Sequence, residues 1–223
     1  MATIGGSNTV TSGLVLALDA ANPKSYVSGS TTWSDLSGNY SGSLVNNLAF
    51  NSTNGGSLVF NGSNTYVATN TNLTLSDATL LCWIKRNGNQ NQYISLFFSR
   101  NPSLATGFSF GPSNQLGYHW NDTITTYNWS SGLTIPDNTW CMIAISITST
   151  TGVAYLGQGD TITSATNTTT HNSVSSLRFY VGADFNGARY FNGSIASAQI
   201  YNRALSSTEI LQNYNSQKSR YNL

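Results

Sequence analysis

Charge is what this chain most lacks. Only 8% of its 223 residues are Asp, Glu, Lys or Arg, against about 25% in an average soluble protein. The net charge is +1, so no broad field would draw the protein to nucleic acid or to anionic lipid. The eight acidic residues include a single glutamate, Glu209. A standard glycosidase needs two carboxylates across the scissile bond, and no two aspartates stand two or four apart on an expected strand. Cysteine and histidine are equally sparse, at two each. Cys82, Cys141, His119 and His171 form no pair with zinc spacing. Both cysteines sit in apolar runs, Cys141 on one alternating face with Ile143, Ile145 and Ile147, so buried unpaired thiols are expected rather than a disulfide scaffold. No apolar run approaches the length of a membrane span. Residues 1–11 show no basic start followed by an apolar run, so no secretory signal peptide is expected. A nucleophile elbow and a phosphate-binding glycine loop are also missing.

What is present is polar without being charged. Asn, Ser, Thr and Gly must supply solubility, and these residues favour turns and sheet surfaces over helix interiors. With 39% hydrophobic residues there is enough to build one core. An all-β chain of this length commonly forms one domain. The alternation in residues 79–86, centred on Trp83, gives the strongest single strand. Residues 140–148 form another, and the Thr-rich stretch 161–172 is expected on an edge or in a loop. Residues 44–50 are expected as one short strand. Asp35 is expected to stabilise its own turn.

Near the C-terminus, residues 190–201 are β-like and lead into a helix start. Ser206 precedes Glu209 by three, a capping box in which each side chain satisfies the other's backbone N–H. Ile210, Leu211 and Tyr214 give the helix an apolar face that must lie on something larger. The capping box accounts for the only glutamate. Two regions follow: an N-terminal arm, residues 1–12, loose or docked on a partner, and a single domain, residues 13–223.

A surface with so little charge would bind through hydrogen bonds and aromatic stacking, the chemistry suited to sugars. The candidate rings near expected loops are Tyr118, Trp120, Tyr127, Trp129, Phe185 and Tyr190. Asn128 is the neighbouring amide, and Trp129 and Tyr127 are expected to be the least core-like. The preferred glycan site is Tyr127, Asn128, Trp129, Phe185 and Tyr190, at the rim formed by loops 121–131 and 184–190. Asp160, Asp184 and Asn186 are the residues that could hold calcium. Calcium favours several anionic ligands, so they read as turn residues and no cofactor is expected.

Five motifs in order carry a family resemblance. They are Gly13-Leu14-Val15-Leu16-Ala17-Leu18-Asp19-Ala20-Ala21-Asn22-Pro23, Thr31-Thr32-Trp33-Ser34-Asp35-Leu36-Ser37-Gly38-Asn39, Gly56-Ser57-Leu58-Val59-Phe60-Asn61-Gly62-Ser63-Asn64-Thr65-Tyr66-Val67, Thr79-Leu80-Leu81-Cys82-Trp83-Ile84-Lys85 and Gly193-x-Ile195 to Ile200-Tyr201-Asn202-Arg203-Ala204-Leu205-Ser206-x-x-Glu209-Ile210. Together they resemble laminin-G-like, concanavalin A-like jelly-roll domains. The resemblance implies an all-β antiparallel two-sheet sandwich with one short C-terminal helix. Related domains often carry aspartates where Asn61 and Thr65 stand, which weakens any calcium site there. The fold hosts lectins, glycosidases, adhesion modules and virion proteins. Stand-alone members similar to this chain imply a non-enzymatic virion structural protein. It would be an outer capsid or tail decoration of a bacteriophage, made in the host cytoplasm and displayed on the virion surface. Its partners would be other virion proteins, copies of itself, or host-surface glycans. The alternatives are a stand-alone lectin module and, further off, a glycoside hydrolase.

Overall fold

The computed structural model describes residues 9–101, 104–184 and 188–223. In chain order the strands are β1 (Leu14–Asp19), β2 (Thr32–Ser34), β3 (Ser41–Val45), β4 (Ala49–Asn51), β5 (Ser57–Asn61), β6 (Tyr66–Thr69), β7 (Leu73–Leu75), β8 (Ala78–Arg86), β9 (Ser95–Asn101), β10 (Leu104–Phe110), β11 (Leu116–His119), β12 (Cys141–Ile147), β13 (Gly152–Gln158), β14 (Thr161–Asn167), β15 (Val174–Leu177), β16 (Phe179–Val181), β17 (Ala183–Asp184), β18 (Arg189–Tyr190) and β19 (Asn192–Tyr201). Two helices, α1 (Ile124–Tyr127) and α2 (Ser207–Gln217), complete the set used below. The first large sheet runs β14-β13-β12-β8-β19-β5-β4, and β1 also pairs with β19. The second runs β11-β10-β9-β16-β6-β3-β2. Pairing in both is antiparallel throughout. This is the two-sheet sandwich expected from the sequence.

The C-terminal strand β19 organises the first sheet. One edge pairs with β8 along its length, while the other is shared between β5 at residues 192–195 and β1 at residues 197–201. The switch falls at a register shift beside Ala196, whose carbonyl accepts from Ala20 N–H at 2.9 Å. A bulge of this kind bends a long strand, letting it serve two neighbours.

Apolar alternation explains which faces are covered. In β8, Leu80, Cys82 and Ile84 enter the core between the sheets, while Leu81 and Trp83 point to the other face. That face is roofed by α2 and the residues after it. Trp83 stacks on Tyr214 at 5.4 Å and on Tyr221 at 4.2 Å. The β8 strand is therefore apolar on both faces, as its sequence shows. Cys82 and Cys141 are buried and free on neighbouring strands, and burial pushes both thiols up, Cys141 to about 12. The helix meets expectation at its start: Ser206 Oγ accepts from Glu209 N–H, and Glu209 Oε2 accepts from Ser206 N–H. Ile210 and Tyr214 are buried, but Leu211 is exposed, because the packed face runs through 210, 213, 214 and 217. Ser206→Ala should lower stability by about 1 kcal/mol. Thermal unfolding checks this, and an unchanged midpoint would show that the cap contributes nothing.

Other local readings are met or corrected. Asp35 closes its turn by accepting from the N–H groups of Ala17, Ser37, Asn39 and Tyr40. Asn61 Oδ1 does the same for Ser63, Asn64 and Thr65, so a neutral amide organises that turn. The Thr-rich stretch forms the edge strand β14. Residues 44–50 are not one strand: β3 and β4 lie in different sheets, and the chain crosses between them through Asn46 and Asn47, both at positive φ. Of the N-terminal arm, residues 1–8 lie outside the described residues. The rest is tied to the body, with Val10 N–H donating to Asn213 Oδ1 at 2.8 Å and Tyr201 Oη–H donating to Val10 O at 2.9 Å. No helix among the described residues is long and apolar enough to cross a membrane.

With α2 on the outside of the first sheet, the outer face of the second sheet is where the loops after β11 and around β17–β18 gather.

Candidate functional site

The site is built on one cross-strand row. Tyr180 of β16 faces Phe98 of β9, Phe98 faces Gly107 of β10, and Gly107 faces His119 of β11. Phe97, Phe179 and Val181 join the core between the sheets, so Phe98 and Tyr180 take the outer face by alternation. Phe98 and His119 lie two strands apart, roughly 9–10 Å from backbone to backbone. Gly107 has no side chain between them, and their rings meet edge-to-face at 5.0 Å. Arg100, two residues along β9, lies over the Phe98 ring at 5.6 Å.

Three segments border an open cavity of about 200 Å³ over this floor, lined by Tyr93, Arg100, His119, Asp122, Tyr127 and Arg189. Tyr127 closes α1 and stacks on His119 at 5.3 Å. Tyr93, held at positive φ, stands edge-on to Tyr127 at 6.2 Å and to His119 at 5.8 Å. Its hydroxyl donates to Asn128 Oδ1 at 2.9 Å. From the β17–β18 hairpin, Arg189 lies over the Tyr93 ring at 5.3 Å.

The charges are arranged in two layers. Asp184 is fully buried and accepts from Arg100 through both nitrogens, Nε at 2.9 and 3.1 Å and Nη2 at 2.7 Å. That bidentate pair fixes the Arg100 guanidinium and raises its pKa. Arg189 approaches the same carboxylate only to 3.6 Å and is 36% exposed. Asp122 is the outer carboxylate, 38% exposed, with His119 Nδ1 at 3.4 Å. His119 is itself buried. Desolvation pushes its pKa down to about 4, against the smaller opposing effect of Asp122, so the ring is neutral near pH 7. His119 Nε2 has no hydrogen-bond partner among the described residues.

The sequence candidates divide as follows. Tyr127 lines the cavity and Asn128 borders it. Tyr190 is half-buried on the same face, beside Tyr66 at 6.3 Å, and does not line the cavity. Phe185 and Asn186 lie outside the described residues. Tyr118 and Trp120 are core: they point inward from β11 and its end, and Tyr118 Oη meets His171 Nε2 at 2.9 Å. Trp129 is a correction. It is half-buried against the same core, edge-on to Tyr118 at 5.8 Å, and is not part of the cavity wall. Asp160 and Asp184 do not converge: Asp160 pairs with Lys218 beyond α2 at 3.1 Å, and Asp184 pairs with Arg100 in the second sheet. Tyr93, Arg100, His119, Asp122 and Arg189 were not singled out from the sequence. Alternation alone marks His119, since its neighbours Tyr118 and Trp120 both point inward.

A second cavity, about 320 Å³, opens where β3 crosses to β4. Its floor is Tyr26, Leu44, Leu48 and Phe50, its rim Ser28, Ser30, Thr31 and Asn47, and no titratable group other than Tyr26 lines it. The Tyr26 hydroxyl donates to Ser30 O at 3.3 Å, and Ser30 Oγ–H donates to Thr32 O, so part of that rim is turned to its own loop.

The family model described as the concanavalin A-like lectin/glucanases superfamily matches residues 61–211. No curated protein matches the chain. Among solved structures, it is similar to domain 4 of AbnA, a GH43 extracellular arabinanase from Geobacillus stearothermophilus, in complex with arabinotriose. The TM-score is 0.66 at 18% identity, covering 92% of this chain and 98% of that one. It is also similar to Trypanosoma rangeli sialidase, with TM-score 0.65 at 16% identity over 95% of this chain and 34% of that one. A third is the botulinum neurotoxin serotype D binding domain, with TM-score 0.64 at 14% identity over 92% of this chain and 52% of that one. The chain thus spans nearly all of the arabinanase domain but only about a third of the sialidase. At these identities the likeness is one of fold.

Proposed function

The chain belongs to the concanavalin A-like lectin/glucanase superfamily, and on that premise we propose that it is a carbohydrate-binding module whose site is the cavity on the outer face of the second sheet. The observation that carries this is the company the cavity keeps. Two tyrosine rings, two guanidinium groups, a carboxylate and a neutral imidazole converge on one opening in a chain with very little charge elsewhere. Rings offer stacking surface to the apolar face of a sugar, and Asp122 and Arg189 offer an acceptor and donors to its hydroxyls. The similar arabinanase domain is described in complex with arabinotriose, which supports a glycan as the ligand.

Binding without cleavage is the reading. Glu209 is bound by Arg203 at 2.6 Å and by Ser206, which hold its pKa down to about 2. A carboxyl ionised at all ordinary pH values is no proton donor. Asp184 is sealed behind Arg100, which leaves Asp122 as the exposed carboxylate of the cavity. Paired acid and base groups for hydrolysis are therefore not supported here. Calcium is not part of the proposal, since Asp160 and Asp184 are engaged with different cations.

Tyr127→Ala tests the site. It should weaken glycan binding by about tenfold or more while lowering stability less than loss of a fully buried ring would, because Tyr127 is only half-buried. Calorimetry against sugars found on a glycan array is the measurement, and chelator should leave the affinity unchanged. Full affinity in Tyr127→Ala would move the site elsewhere. A place on a virion surface rests on the sequence resemblance alone, and no feature of the described residues adds to it. Mass spectrometry of purified particles is its test, and absence from every preparation removes it.

A further inference from the structure

The charges around the cavity cancel. Arg100 and Arg189 are positive, Asp184 and Asp122 are negative, and His119 is neutral. Their placement is unequal. Asp184 is buried and held by Arg100, with Arg189 3.6 Å away, so its carboxylate presents little to a ligand. Of the charged side chains that line the cavity, Asp122 and Arg189 are each more than a third exposed, and Arg100 is less so at 20%. We propose that the site selects uncharged sugars over acidic and basic ones, and that Asp122 and Arg189 are the two residues that set this selectivity. The proposal rests on the glycan-binding function above.

The physical argument is a pair of repulsions. A sugar carboxylate drawn to Arg189 is brought into the same small cavity as the Asp122 carboxylate. An ammonium group drawn to Asp122 is brought towards Arg189 and Arg100. Asp122 and Arg189 line the same cavity of about 200 Å³, so a charged substituent that meets its partner there also feels the field of the other group. Partial burial also keeps solvent from screening these encounters fully. A hydroxyl meets neither penalty: it donates to Asp122 or accepts from Arg189 with no net charge to desolvate. Backbone geometry makes the test clean. Asp122 has φ of 51° and its N–H donates to Ala105 O at 2.9 Å. Asparagine tolerates such a conformation as aspartate does, so Asp122→Asn changes charge with little change of shape.

The experiment is calorimetry of the full chain against three matched probes: galactose, galacturonic acid and galactosamine, and the glucose set alongside. The wild type should bind the neutral sugar more tightly than either charged form, with affinity insensitive to salt. Asp122→Asn should raise the ratio of acidic to neutral affinity by about tenfold, and that gain should shrink as salt is added. Arg189→Gln should raise the basic-to-neutral ratio instead. A wild type that binds the uronic acid as well as the neutral sugar overturns the selectivity while leaving glycan binding intact. Unchanged ratios in both variants would mean that other residues set it, which also overturns the proposal. If no probe on these sets or on a wider glycan array binds, the glycan-binding reading itself falls and takes this inference with it.

Discussion

Gly107→Ala is expected to destabilise the protein by about 3 kcal/mol or more, a loss from which a domain of ordinary stability recovers poorly. Two separate obstacles add. The residue sits at φ of 138°, where a side chain is strained, and an added Cβ would fall 2.2 Å from the Phe97 carbonyl oxygen and 2.8 Å from the Phe98 Cα. These are backbone atoms of the neighbouring strand β9, so no side-chain rotation relieves the contact. The position is also the gap through which Phe98 and His119 touch across β10. Moving β9 away from β10 would therefore disturb Arg100 and the cavity floor together with the fold. Urea denaturation with a far-UV readout measures the loss. A midpoint equal to wild type would show that the two strands separate freely here, and the rigid-floor account of the site would go with it.

The parts of this fold legible in the sequence are those whose causes are local. The capping box needs only Ser206 and Glu209, three apart. The Asp35 turn is closed almost entirely by groups within five residues of it. The two-faced apolar pattern of residues 79–86 already requires cover on both sides, and α2 supplies the second cover. What was not legible depends on register. Nothing in the run Ser95-Leu96-Phe97-Phe98-Ser99-Arg100 says that Phe98 will face Gly107, or that Gly107 will leave room for His119. Nor does the sequence around Asp184 announce that its carboxylate will be buried on Arg100, 84 positions away. Residues 44–50 misled for a related reason: an apolar, β-prone run looks continuous, while Asn46 and Asn47 at positive φ carry the chain from one sheet to the other. Tyr127 of the stretch 121–131 and Arg189 of the stretch 184–190 both line the cavity. The individual side chains within them could not be ranked without knowing which way each strand turns its even and odd residues.

Trp129 shows that difference in a form that can be measured. By residue type it looks like an exposed stacking ring, in a loop of Asn, Ser and Thr. In the structure it packs against the core between the sheets and stands edge-on to the buried Tyr118 at 5.8 Å. The loop around it is fastened on both sides. Trp129 N–H donates to Thr126 O at 3.2 Å, Ser130 Oγ–H donates to Gln115 Oε1 at 2.7 Å, and Ser131 Oγ–H donates to Leu116 O at 2.6 Å. Removing the indole thus opens a void beside a fixed backbone that cannot collapse into it. Trp129→Ala should cost about 2–3 kcal/mol, below the 3–5 kcal/mol typical of a fully buried Trp because part of the ring already faces solvent. Under conditions where the variant stays folded, glycan affinity should change far less than in Tyr127→Ala, because Trp129 is not part of the cavity wall. The two variants are to be compared for melting temperature and for affinity in one series. If Trp129→Ala loses binding at full stability and Tyr127→Ala loses stability at full binding, the assignment of wall and core in this loop is reversed, and the ligand lies on the Trp129 side of α1.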